Sequence, residues 1–350
     1  MPHIELKAAA SSSTDESESF FYTISTPTSP SASSSEIVQE LPTIVLIHPV
    51  YAGSVLWHPV FADCRLRRFN LVAMDLRGHG ETKAGVGEDY GRDILAGDVL
   101  RIMDSLDIAE FHVAGVATGA SVALQMAVMA PERVRSVFMV SPAPQIEPAE
   151  SLQGRQEIVD YWVQAHQNDS TEVDEIAAAD AVYGALQLAY NNKETRLTKA
   201  VCSYGVSNAK RNWTGDCLHR SEIITVKYFS NETPFDVSSL KRIRAETPVM
   251  LIHGSEDIVY PRFHAEELLG LLRTAGLGKA ELLTLEGAPH FANVTHPEEI
   301  NKFLYDFIAA NCGSAVKEFP PPPQVVESRF LEELAKYGYL EDDTDSDGSE

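Results

Sequence analysis

From Pro42 onward the chain alternates short, β-branched apolar runs with stretches of helical periodicity. Thr43 to His48 and Asn70 to Leu76 are apolar on both faces, the pattern of a buried strand. Between them and the next such run, Ile94, Leu95, Leu100, Ile102, Met103 and Leu106 fall on one broad helical face. Phe111 to Val116 reads as a further strand, Ala120 to Ala130 as a helix and Val134 to Val140 as a strand again. Strands that are apolar on both sides and separated by helices predict an α/β fold, with a mostly parallel sheet covered by helices on both faces.

After Pro142 the rhythm changes. Residues from about 146 to 245 hold helix-like segments, Gln156 to His166 and Val173 to Tyr190, and few strand patterns. This predicts a helical cap, residues 146–245, inserted into a core made of residues 42–145 and 246–312. Trp162, Tyr183 and Trp213 are candidates to line a pocket under that cap, although each singly reads as ordinary packing. Strands resume at Pro248 to His253 and Ala280 to Leu285, and Pro297 to Ala310 reads as a closing helix with proline in its first turn.

The ends differ from this core. Residues 1–41 read as a flexible Ser/Pro-rich segment, with Phe20 to Ser25 a candidate first strand interrupting it. Residues 313–350 read as a Pro-rich linker, a short helix and an acidic tail. The linker contains Phe319 and four prolines, a stiff spacer. Within 324–340, Val325, Val326, Phe330, Leu331, Leu334 and Tyr337 recur at roughly helical spacing. This segment is expected to dock on the core, with a protein partner bound through residues 324–340 as the alternative. Residues 341–350 carry six acids and no base, a run expected to stay solvated.

A chain of 350 residues with 44% hydrophobic content can bury a large core. Its formal net charge of -23 argues against nucleic acid and anionic membranes as partners. Cys64, Cys202, Cys217 and Cys312 lack zinc-type pairing, and isolated thiols are expected over a Cys202–Cys217 bond. The tail Asp343-x-Asp345-x-Asp347-Gly348 imitates the start of a calcium loop without its closing glutamate, so no metal and no cofactor is expected. Met1 to Lys7 lacks the pattern of a secretory signal, and no apolar run is long enough to span a bilayer. The four Asn-x-Ser/Thr sequons therefore read as chance matches, and a cytoplasmic setting is expected.

The stretch Gly115-Val116-Ala117-Thr118-Gly119 carries the most chemistry. It joins a strand to a helix with small residues two positions either side of Ala117, the pattern of a nucleophile elbow. The nucleophile position holds a methyl group, which cannot attack a carbonyl. Read alone, the segment is an ordinary strand-to-helix turn. Four further segments change that reading: His48-Pro49-Val50, Asp75-Leu76-Arg77-Gly78-His79-Gly80, Gly254-Ser255-Glu256-Asp257 and Gly287-Ala288-Pro289-His290-Phe291, each following a predicted strand.

Taken together, these segments resemble the α/β-hydrolase superfamily over roughly residues 42–312. The resemblance implies an α/β-hydrolase fold. It places Asp257 at the position of the acid that orients the catalytic histidine, and His290 at the position of that histidine. Ala117 stands where the family has its nucleophile. The implied oxyanion donors are the backbone N–H groups of Val50 and Thr118, with Pro49 standing where the family often has glycine. Asp75 to Gly80 corresponds to a structural turn.

Without a serine, an imidazole held by a carboxylate can still act as a general base on water or on a substrate C–H or O–H. Three readings follow. The first, and the favoured one, is an enzyme acting on a small ester- or carbonyl-type substrate through His290 and Asp257, as a hydrolase or as a lyase or isomerase. The second is a catalytically silent protein that binds a small ligand. The third is a scaffold whose tails carry the function.

Overall fold

The computed structural model describes residues 2–7, 17–29, 34–167, 173–312, 320–321 and 326–340. Eight strands form one sheet: β1 (His3–Lys7), β2 (Ser17–Ser25), β3 (Thr43–Ile47), β4 (Asn70–Met74), β5 (Phe111–Val116), β6 (Val134–Val140), β7 (Val249–Gly254) and β8 (Ala280–Leu285). Their spatial order is β1-β2-β4-β3-β5-β6-β7-β8. From β4 to β8 every neighbouring pair is parallel. β1 and β2 are antiparallel additions at one edge.

Those two strands correct the reading of residues 1–41 as a flexible segment. Strand β2 is longer than Phe20 to Ser25, and β1 is a strand the sequence pattern did not predict. The sequence His3-Ile-Glu-Leu-Lys7 is too short and too polar to stand out, and it is ordered by pairing with β2. The Ala/Ser-rich residues 8–16 lie outside the described residues.

Alternate strand residues point to opposite faces, and each face carries its own apolar layer. Val45, Ile47, Val72, Val113, Val137 and Leu251 pack with Leu95, Val99 and Ile102 of the helix Arg92–Ser105 and with Leu268 and Leu272 of the helix Arg262–Thr274. Ile44, Leu46, Ala114, Phe138 and Ile252 pack with Trp57, Phe61 and Ile300, Leu304 and Ile308 of the helix Pro297–Asn311.

Between β6 and β7 all described elements are helical. The longer helices are Ala149–His166, Glu175–Tyr190 and Arg196–Asn212. The Asp174 carboxylate caps the second, accepting from the N–H groups of Ile176 and Ala177, and Asn191 closes it in the left-handed region. The third lies in a stretch where no helix is predicted. Its buried stripe is Leu197, Ala200, Val201, Tyr204, Gly205 and Asn208, too diluted by small and polar residues to signal itself.

The C-terminal segment docks on the core. Phe330 and Leu334 are buried, Phe330 packing edge-on against Phe61 at 5.0 Å. The Ser328 hydroxyl meets His58 Nδ1 at 2.8 Å, and Arg67 donates to the Glu327 carbonyl. The acidic tail lies outside the described residues. Among the described residues no helix is long and apolar enough to cross a membrane, no group of side chains could hold a metal ion, and the four cysteines are unpaired.

Candidate active site

The C-terminal ends of β3, β5, β7 and β8 lie along one edge of the sheet, where open α/β sheets form their sites. The loop after β5 is the tightest. Ala117 has φ 48° and ψ −113°, a conformation that costs a residue with a side chain on the order of 1–3 kcal/mol. Its N–H donates to the Val140 carbonyl at 2.9 Å, and its own carbonyl starts the helix Thr118–Met129. Crowding explains both glycines. A Cβ on Gly115 would lie 2.1 Å from the Gly119 carbonyl oxygen, and one on Gly119 would lie 2.3 Å from the Ile47 carbonyl oxygen. The backbone therefore holds the strained bend of an elbow although the tip is a methyl group.

The loops after β7 and β8 are knitted to each other. Glu256 N–H donates to the Ala288 carbonyl at 2.9 Å, and Gly287 N–H donates to the Ser255 hydroxyl at 2.7 Å. This brings Asp257 Oδ2 to 2.7 Å from His290 Nδ1, with both side chains buried. The other carboxylate oxygen accepts from the N–H groups of Val259 and Tyr260, at 2.9 and 3.1 Å. Burial acts to raise the Asp257 pKa. The charge and hydrogen bond of His290 and the two backbone donors outweigh it, and the carboxyl is held below its ordinary value. With Nδ1 committed to the carboxylate, Nε2 is the nitrogen left for water or substrate. Ala117 belongs to the same apolar layer of the core as Ala288, Phe291 and Ala292.

Among the described residues, the backbone N–H groups of Val50 and Thr118 donate to no protein acceptor, as donors reserved for a ligand oxygen require. The Thr118 hydroxyl is also buried and unpartnered. Asp75 is structural, accepting from the N–H groups of Ser54 and Glu81.

The helical insertion is tied to the histidine loop: Phe291 N–H donates to the Ala189 carbonyl at 2.8 Å, and Tyr190 stacks edge-on against Phe291. Inside the insertion lies a cavity of about 70 Å³, lined by Trp162 and Trp213 among mostly apolar side chains. Neither Ala117 nor His290 lines it; Tyr51 and Phe291, which follow Val50 and His290, are the lining residues nearest to them in sequence. Tyr183 does not line it and is 59% exposed.

One buried cluster escaped the sequence reading. Arg155 donates through Nε to Glu147 and through Nη2 to the Tyr260 hydroxyl, both at 2.8 Å, and that hydroxyl donates to Glu147 at 2.7 Å. The Tyr260 ring stands edge-on to His290 at 5.2 Å, so the cluster links the insertion to the His–Asp pair. A signal existed. Leu152, Arg155, Val159 and Trp162 share one helical face, and a cation on an apolar stripe marks a buried partner.

A family model described as alpha/beta hydrolase fold matches residues 42–297. The chain is 26% identical over 269 residues to the dihydrolipoyllysine-residue acetyltransferase component of an acetoin cleaving system from Pseudomonas putida, covering 76% of this chain but only 63% of that protein. It is 23% identical over 269 residues to a protein named carbamate hydrolase RutD from Agrobacterium fabrum, covering 77% of this chain and 94% of that one. A thermophilic esterase from Thermogutta terrifontis superposes with a TM-score of 0.64 at 13% identity, over 89% of this chain and 99% of that one, a likeness of fold.

Proposed function

The chain belongs to the α/β-hydrolase fold family, and from that premise we propose that it acts on a small ester- or carbonyl-type substrate with His290 as general base in place of a serine nucleophile. The observations that carry this reading are the buried His290–Asp257 pair, bonded at 2.7 Å, and an elbow that keeps its strained geometry at the C-terminal edge of the same sheet. Relatives named as hydrolases support the reaction class.

In the hydrolytic form, His290 Nε2 takes a proton from water as the water oxygen attacks the substrate carbonyl carbon. The oxyanion that forms accepts from the Val50 and Thr118 N–H groups. Its collapse breaks the bond to the leaving group, which receives the proton back from His290, so that ester and water become acid and alcohol. Ala117 contributes space, since the volume of a serine hydroxyl is free for the water. In the lyase or isomerase form, the same nitrogen takes a proton from carbon next to a carbonyl, and the same donors hold the enolate.

The test is a panel of activated esters assayed with the natural protein, His290→Ala and Asp257→Asn. General-base catalysis predicts a rate above background that falls on the order of 10²-fold or more in His290→Ala. Equal rates in all three proteins, each folded, would remove the catalytic reading. They would leave a catalytically silent ligand-binding protein, the reading favoured by the methyl at position 117.

A further inference from the structure

The cavity of the insertion is lined mostly by apolar side chains, and several of its polar groups are occupied: the indole N–H of Trp162 donates to the Trp213 carbonyl and that of Trp213 to the Gly78 carbonyl, both at 2.8 Å. The Ser221 and Thr225 hydroxyls donate to the carbonyls of Leu218 and Ser221. Tyr51 also lines the cavity; its hydroxyl is out of contact with solvent and makes no hydrogen bond of ordinary geometry, although the Arg155 guanidinium and the Thr225 hydroxyl neighbour it. Leaving such a group unpaired costs on the order of 1–3 kcal/mol.

The Tyr51 backbone is unusual as well. It lies at φ 66°, in the left-handed region that a bulky residue rarely adopts. Gly205 of the insertion seats against it so closely that a Cβ there would lie 2.5 Å from the Tyr51 carbonyl oxygen. The ring stands edge-on to Trp213 at 6.3 Å. A tyrosine directly after Val50 is thus held in a strained conformation with its hydroxyl short of a well-formed hydrogen bond at a hydrophobic cavity. Strain and an under-bonded polar group at one residue point to a ligand contact.

We propose that this cavity binds a compact, mainly hydrocarbon ligand carrying one neutral carbonyl oxygen, and that the Tyr51 hydroxyl donates to that oxygen and selects for it. The hydrocarbon body is set by Ile158, Trp162, Ala185, Val201 and Phe291. An acceptor is favoured over a donor because the Arg155 guanidinium neighbours the Tyr51 hydroxyl. A carboxylate is disfavoured, because Arg155 is already neutralised by Glu147 and a second anion would be buried without a counter-charge. The binding does not depend on turnover at His290.

Two of the three tryptophans line the cavity, and the third, Trp57, is buried and does not line it, so intrinsic fluorescence reports occupancy. The probes are 4-phenylbutan-2-one and butylbenzene, which share a carbon skeleton and differ in the oxygen. Titrated into the full chain, both should quench saturably, the ketone binding roughly three- to tenfold tighter, the range of one neutral hydrogen bond. Tyr51→Phe should abolish that preference and leave butylbenzene affinity unchanged. Ala185→Phe, which fills the cavity, should remove both; Val206→Phe serves if that variant does not fold. No saturable quenching by either probe, equal affinities in the natural protein, or a ketone preference that survives Tyr51→Phe would overturn the inference. Ketone binding that depends on Tyr51 but comes with no ester turnover would sink the proposed function and leave this inference standing. Turnover without that binding would do the reverse.

Discussion

Replacing Gly115 by alanine tests the elbow where it is most crowded. The added Cβ would lie 2.1 Å from the Gly119 carbonyl oxygen, 2.3 Å from the Gly119 carbonyl carbon and 2.6 Å from the Ala120 nitrogen. All three are backbone atoms at the start of a helix, so no side chain can rotate away. Separating them requires the helix Thr118–Met129 to shift against β5 by about an ångström, in a core whose interior is close-packed. Overpacking of this kind costs about 1–3 kcal/mol and more where backbone must move, so we expect Gly115→Ala to lose at least about 3 kcal/mol.

The control has the opposite sign. Gly154, inside the helix Ala149–His166, has nothing within 4 Å of the position its Cβ would take. Gly154→Ala should therefore gain about 0.5–1 kcal/mol, the helix preference of alanine over glycine. Equilibrium urea unfolding followed by tryptophan fluorescence measures both. A loss below about 1 kcal/mol for Gly115→Ala, or losses of similar size at the two sites, would refute the claim that strand and helix meet through these glycines.

Other predictions concern stability and pH. Burial lowers the pKa of His48, His58 and His112 to about 4 and that of His79 to about 3, the last also through the neighbouring His48. Each is neutral when folded and binds its proton near pH 6.5 when unfolded. Their contribution is therefore complete above pH 6.5 and is lost as pH falls toward 4, on the order of 2 kcal/mol per histidine at pH 5. Thermal denaturation should show Tm dropping steeply between pH 6.5 and 4.5, and a flat Tm across that window would contradict the burial of these rings. Phe330→Ala should cost about 3–5 kcal/mol, because Phe330 fills a buried site against Phe61. A loss under 1 kcal/mol in urea unfolding would mean that the C-terminal segment is not anchored there.

Most of the sheet was legible because its strands are apolar on both faces, which leaves Thr43 to Ile47 and Phe111 to Val116 little alternative to a buried position. Legibility failed where order comes from partners. Strand β1 is held by pairing with β2, and the helix Arg196–Asn212 presents a stripe of small and polar residues. At the site, His290 and Asp257 were legible because each follows a strand within a short signature loop. For Arg155 the sequence offered only a cation on an apolar helical stripe, and its partners Glu147 and Tyr260 were not legible, because contacts between the start of one helix and a distant loop have no fixed spacing. Tyr51 was passed over for the same reason: a missing hydrogen bond is a property of the folded surroundings.

The central claim is that elbow, imidazole, carboxylate and backbone donors are assembled around a missing oxygen. Ala117→Ser supplies that oxygen, and intact-mass spectrometry after brief exposure to p-nitrophenyl acetate reads the result. We expect one acetyl group added at Ser in position 117, slowed on the order of 10²-fold or more by adding His290→Ala. A folded Ala117→Ser protein that gains no acetyl group, or gains it equally fast without the imidazole, would contradict the account.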